Sequence, residues 1–149
     1  MRPGPAELVA GFRRIRRERM RGLPFVNPAL EVEAIGFRPD GPHRVGVLLT
    51  PWFMNLVLLP GDDGWDAAAP GDRLVHALPA GQLEFTVNRD EQLGTFLSAV
   101  LLSSVADFPD QRSARAVARE VVQQVFAPPA AAGGRPIGRR ELLTGRRAS

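Results

Sequence analysis

The sequence predicts an α+β protein, with an antiparallel or mixed sheet of about five to six strands and one helix on either side of it in the chain. Three observations lead there. Helical spacing of apolar residues occurs only near the start and again between residues 114 and 125. The stretch between them breaks into short apolar or alternating runs. Turn-length segments of Pro, Gly and Asp separate most of those runs, which suits hairpins, whereas parallel strands would need crossover helices that are missing here.

The first helix is predicted over residues 6–21. Leu8, Val9, Phe12 and Ile15 form its apolar stripe, arginines cover the remaining surface, and Gly22 and Pro24 stop it. That surface reads either as a solvated face or as a basic docking face for an acidic partner. Strand character starts after Leu30: Glu31 to Ala34 alternate, Ile35 and Phe37 change phase near Gly36, and Asp40-Gly41 marks a turn into Val45 to Leu49. Another apolar strand, Met54 to Leu59, follows Pro51-Trp52 and ends at Pro60-Gly61. Asp62 to Asp72 reads as a loop.

Two further strands, Arg73 to Leu78 and Gln82 to Val87, flank Pro79-Ala80-Gly81, and the second alternates Leu83, Phe85 and Val87 with Gln82, Glu84 and Thr86. The nearly continuous apolar run from Thr95 to Leu102 fits a strand buried on both faces or a helix; its length and the preceding Gly94 favour the strand. The last helix carries Ala114, Val117, Ala118, Val121, Val122 and Val125 in an unbroken i, i+3, i+4 pattern. Asp107 or Asp110 is its N-cap and Pro128-Pro129 its end. One domain over residues 1–127 is therefore expected, followed by a Pro/Ala/Gly linker and basic tail over 128–149.

The chain has no cysteine, which removes disulfides, thiolate nucleophiles and thiolate-bound zinc, nickel or iron–sulfur sites. Lysine and tyrosine are also missing as nucleophiles or acids, and no GxSxG, Walker A or GxGxxG run is present, so neither an enzyme nor a cofactor is expected. His43 and His76 are not spaced to share a helical face and read as structural or surface residues. Asp62, Asp63, Asp66 and Asp72 lack the ligand spacing of a calcium loop and read as a solvated acidic loop. No apolar run reaches the roughly 20 residues of a membrane span, and no apolar stretch follows the first arginines, so a cytoplasmic protein is expected.

All 19 basic residues are arginine. Charge is +5 over residues 1–21, −6 over 22–134 and +4 over 135–149, an acidic body between two basic ends. The acidic body argues against a nucleic-acid interface on the folded domain, but the first helix and the tail keep that alternative open. Between two strands, Pro51-Trp52-Phe53-Met54 offers either core packing or an apolar grip on a partner.

Five stretches in order carry a family resemblance: Thr50-Pro51-Trp52; Leu58-Leu59-Pro60-Gly61; Leu78-Pro79-Ala80-Gly81 leading into Phe85-Thr86-Val87; Leu97-Ser98 with Leu101-Leu102-Ser103; and Gly138 to Arg147. In these the chain resembles the HybE family of [NiFe]-hydrogenase assembly chaperones, from about Phe12 onward. It departs from the family pattern at Ala99, where members often have cysteine, and at Ser103-Ser104, where a Ser-Pro is usual.

The resemblance implies a non-enzymatic chaperone of hydrogenase maturation. It would bind the small-subunit precursor through its twin-arginine signal, its mature part or both, and help it join the large subunit before export. The large subunit and other maturation factors are further candidate partners, and no small-molecule substrate is implied. Expected partner-binding residues are Pro51, Trp52, Phe53, Met54, Pro60, Gly61, Phe85, Arg139, Arg140, Leu142 and Leu143. Arg139-Arg140 with Leu142-Leu143 copies the start of a twin-arginine signal without its hydrophobic continuation. The tail is therefore either a self-occupant of the client site or a solubilising basic extension. A site for two guanidinium groups needs carboxylates, and Glu31, Glu33, Glu84, Asp90 and Glu91 are the candidates.

Overall fold

A computed structural model describes residues 3–128 of the chain. The elements run α1 (Pro5–Arg19), β1 (Glu33–Asp40), β2 (His43–Leu49), β3 (Met54–Leu59), β4 (Arg73–Leu78), β5 (Gly81–Asp90), β6 (Gly94–Leu102) and α2 (Gln111–Phe126). All pairings are antiparallel and the sheet order is β1-β2-β3-β6-β5-β4. Two three-stranded meanders are thus joined back to back through β3 and β6, and the 60–72 loop carries the chain from the middle of the sheet to its far edge.

Each face of the sheet has its own helix. Val45, Val47 and Leu49 of β2, Met54, Leu56 and Leu58 of β3, and Leu97, Ala99 and Leu101 of β6 point to α2, which contributes Ala114, Ala118, Val121, Val122 and Val125 to one core. The opposite face places Leu48, Val57, Leu59 and Phe96 against Leu8 and Phe12 of α1. Strands β2 and β3 are therefore buried on both sides, which explains why Val45 to Leu59 is apolar almost throughout without being a membrane span. No helix among the described residues is long and apolar enough to cross a membrane.

The phase change near Gly36 is a bulge: register shifts between Ile35 and Arg38, and Gly36 sits at φ +69. The extra residue sends Ile35 to the α2 side and Phe37 to the α1 side, a split that a regular strand would forbid. The run from Thr95 is strand β6, and Asp110, not Asp107, caps α2 by accepting from Ser113 N at 2.8 Å. Helix α1 stops at Arg19, two residues earlier than expected, because Met20 leaves helical geometry and Gly22 reverses the chain at φ +71.

The sheet also coils further than strand order suggests. His76 Nε2 of edge strand β4 lies 2.8 Å from Asp40 Oδ2 of edge strand β1, so the two edges meet at one end. Elsewhere α2 occupies the concave side, where Val125 O accepts from Ala80 N at 3.0 Å and Arg115 holds both oxygens of Glu33 at 2.8–3.1 Å. Burial by itself raises the Glu33 carboxyl, but hydrogen bonds from Arg115 and Gln111 outweigh it and leave the group below its ordinary value.

Candidate functional site

The connection between β2 and β3 is held by Thr50. Its N–H donates to Phe53 O at 2.9 Å, and its hydroxyl accepts from Phe53 N at 3.0 Å and Trp52 N at 3.2 Å. Pro51 O accepts from Asn27 N at 2.7 Å, and the Asn27 amide donates in turn to Val105 O and Phe108 O at 3.0 and 2.9 Å. Two separate segments, one carrying Asn27 and one carrying Val105 and Phe108, therefore lock this turn. From it an aromatic ladder crosses to α1 and the sheet: Trp52 meets Phe53 edge-on at 5.7 Å, Phe53 meets Phe12 at 5.8 Å, and Phe12 meets Phe96 at 6.4 Å.

The stretch divides between buried and half-buried residues. Pro51 is buried and Met54 is fully enclosed in the α2-side core. Phe53 is an inner rung of the ladder, while Trp52, half-buried, terminates it. Strand alternation decides the split, since Met54 is the first residue of β3 and points inward with Leu56 and Leu58. Phe85 is corrected in the same way: at 1% exposure it fills the α2-side core and offers no surface to a partner.

Pro60 is buried and Gly61 closes a structural contact. Gly61 N–H donates to His43 Nδ1 at 3.0 Å, and a Cβ at this glycine would overlap the carbonyl of Pro42. His43 stacks on Trp65 at 4.3 Å and lies 5.9 Å from His76, which faces Phe85 edge-on at 6.4 Å. The two histidines, read separately from sequence, belong to one cluster because the coiled sheet brings the start of β2 and the middle of β4 together.

Burial pushes the His43 imidazole below its ordinary value of 6.5, and the Gly61 hydrogen bond needs Nδ1 unprotonated. The folded state therefore binds this proton less readily than the unfolded chain. The stabilisation is complete above the unfolded value of 6.5 and is lost as the pH falls through the lower folded value. Melting curves across that window should fall with acidification, and the His43→Phe chain should lose that part of the pH dependence.

The five carboxylates proposed for a guanidinium site do not converge. Glu33 is held by Arg115, and Glu84 faces Arg73 at 3.4 Å on the surface. Asp90 and Glu91, however, join Asp66 around a hollow of about 820 Å³ between the 60–72 loop and the β5–β6 turn. Asp90 accepts from Leu93 N and Gln92 N at 3.0 and 2.8 Å, and these two bonds pull its carboxyl below the ordinary range. Arg89, also in the wall, donates to the carbonyls of Asp66 and Ala68. Among the described residues no group of three histidine, aspartate or glutamate side chains is placed to hold a metal ion.

Glu31 stands apart from this hollow, at a groove of about 870 Å³ between the C-terminal half of α1 and the segment after it. Arg13, Arg16, Arg17 and Arg21 dominate its wall, with Leu23 and Val26 among the apolar lining. The expected residues Arg139, Arg140, Leu142 and Leu143 lie outside the described residues.

Comparison with known proteins agrees along the chain. The family model described as "[NiFe]-hydrogenase assembly, chaperone, HybE" matches residues 4–145. The hydrogenase expression/formation protein HoxT of Azotobacter vinelandii is 44% identical over 143 residues, 95% of this chain and 91% of the relative. HupT of Azotobacter chroococcum mcd 1, with the same description, is 46% identical over 122 residues, 81% of each chain. The solution structure of HybE from Escherichia coli superposes with a TM-score of 0.67 over 99% of this chain and 93% of that one. At 22% identity this is a likeness of fold.

Proposed function

Because the chain belongs to the HybE family of [NiFe]-hydrogenase assembly chaperones, we propose that it works without catalysis, by binding the small-subunit precursor of a [NiFe]-hydrogenase. The precursor is bound in the cytoplasm through its twin-arginine signal, its mature part or both, and is helped to join the large subunit before export. The observation that carries this reading is the Thr50–Phe53 turn, which presents a half-buried indole on a rigid mount. An aromatic held in one conformation loses little entropy on binding, and such residues are frequent binding hot spots.

The charge pattern suits a divided client. The hollow at Asp66, Asp90 and Glu91 supplies carboxylates for guanidinium groups, and the groove on α1 is unsuited to them. Arg139-Arg140 and Leu142-Leu143 of the tail would compete for the client's place, since tethering gives a local concentration of about millimolar.

The test is co-expression with the small-subunit precursor, with and without its leader, followed by affinity isolation. Trp52→Ala should cut recovery by about thirtyfold in affinity while the melting temperature changes little. A chain ending at residue 134 should bind a synthetic twin-arginine peptide more tightly than the full chain. Undiminished recovery with Trp52→Ala removes the turn from the interface, and failure to recover any precursor rejects the reading.

A further inference from the structure

We propose that the groove between the C-terminal half of α1 and residues 20–32 is a docking site for an acidic peptide segment bearing apolar side chains. This deepens the reading of the protein as a polypeptide-binding chaperone and rests on it. Four arginines, Arg13, Arg16, Arg17 and Arg21, line about 870 Å³ of open groove, with Glu31 the one carboxylate in the wall. Among the described residues none of the four has an ion-pair partner within 4.0 Å; those pairs involve Arg73, His76 and Arg115. Clustered unpaired guanidinium groups repel one another, and an incoming carboxylate relieves that repulsion while accepting bidentate hydrogen bonds.

Charge decides among the occupants. The chain's own tail, with five arginines against one glutamate over residues 135–149, is repelled, and so is a twin-arginine signal. A nucleic acid satisfies the charge, but the groove has an apolar side, with Met20, Leu23 and Val26, and no aromatic ring in its wall for a base to stack on. Carboxylates for the arginines and aliphatic side chains for Leu23 and Val26 together describe an acidic amphipathic peptide. The segment that forms its wall is tied to the Trp52 turn, because Asn27 N, between the lining residues Val26 and Pro28, donates to Pro51 O. One partner can therefore engage both.

The experiment uses the full chain and fluorescence anisotropy with four labelled probes: a synthetic amphipathic peptide of glutamate and leucine faces, its glutamine analogue, a twin-arginine signal peptide and a single-stranded oligonucleotide. The acidic peptide should bind, the glutamine analogue should bind at least about tenfold more weakly, and Arg16→Gln with Arg17→Gln should weaken the acidic peptide by about tenfold. Leu23→Glu, which leaves the arginines in place, should weaken it too. Equal binding of both peptides, an unaffected double variant, or an oligonucleotide that outcompetes the acidic peptide overturns the proposal. Peptide binding without precursor recovery rejects the chaperone's client and leaves the groove standing; precursor recovery unaffected by the double variant does the reverse.

Discussion

Gly61→Ala is expected to lower the unfolding free energy by about 3 kcal/mol or more, read as a shift of the urea midpoint. Its amide hydrogen is directed to His43 Nδ1, and a methyl group here would occupy the space of the Pro42 carbonyl. Both clashing groups are main chain, so no rotamer change relieves the overlap. The turn between β1 and β2 must move away from the end of β3, and the stack of His43 on Trp65 must move with it. No positive φ is involved, so the demand is one of close approach and not of backbone conformation. Gly61 was expected to serve a partner; if Gly61→Ala instead keeps its stability and loses only precursor binding, that earlier expectation is the correct one.

Phe85→Ala should cost about 3–5 kcal/mol, because a ring at 1% exposure in the α2-side core leaves a cavity that the coiled sheet cannot close. The ring also faces the edge of His76, whose link to Asp40 joins the two edge strands. Thermal unfolding and hydrogen exchange should show β4 and β5 loosening first. Folded molecules that remain should still bind the acidic probe peptide, since the basic groove lies on the other side of the sheet, along α1. A variant as stable as the parent would contradict the packing described here.

Much of the fold was legible. Every strand was visible from a run of apolar or alternating residues, because a half-buried strand imposes a period of two and a doubly buried one a short unbroken run. Gly36 even betrayed the bulge, since an extra residue inverts the alternation. Residues 51–54 were legible only as apolar; which of them faced outward depended on where β3 began. That starting point buries Met54 and leaves Trp52 at the end of the ladder. The carboxylates were counted but could not be paired, as Glu33 meets its arginine across 82 positions.

The family was a resemblance carried by five short stretches in order, and composition excluded thiol chemistry; local pattern by itself determined the two helices and about five to six strands. These depend on neighbours a few residues apart, whose spacing the chain carries directly. Tertiary structure alone decided that β3 pairs with β6, that the edge strands meet through Asp40 and His76, and that α1 and the segment after it enclose an arginine-lined groove. Those outcomes depend on how far a twisted sheet coils around a helix, a sum over every strand that no local run of residues encodes.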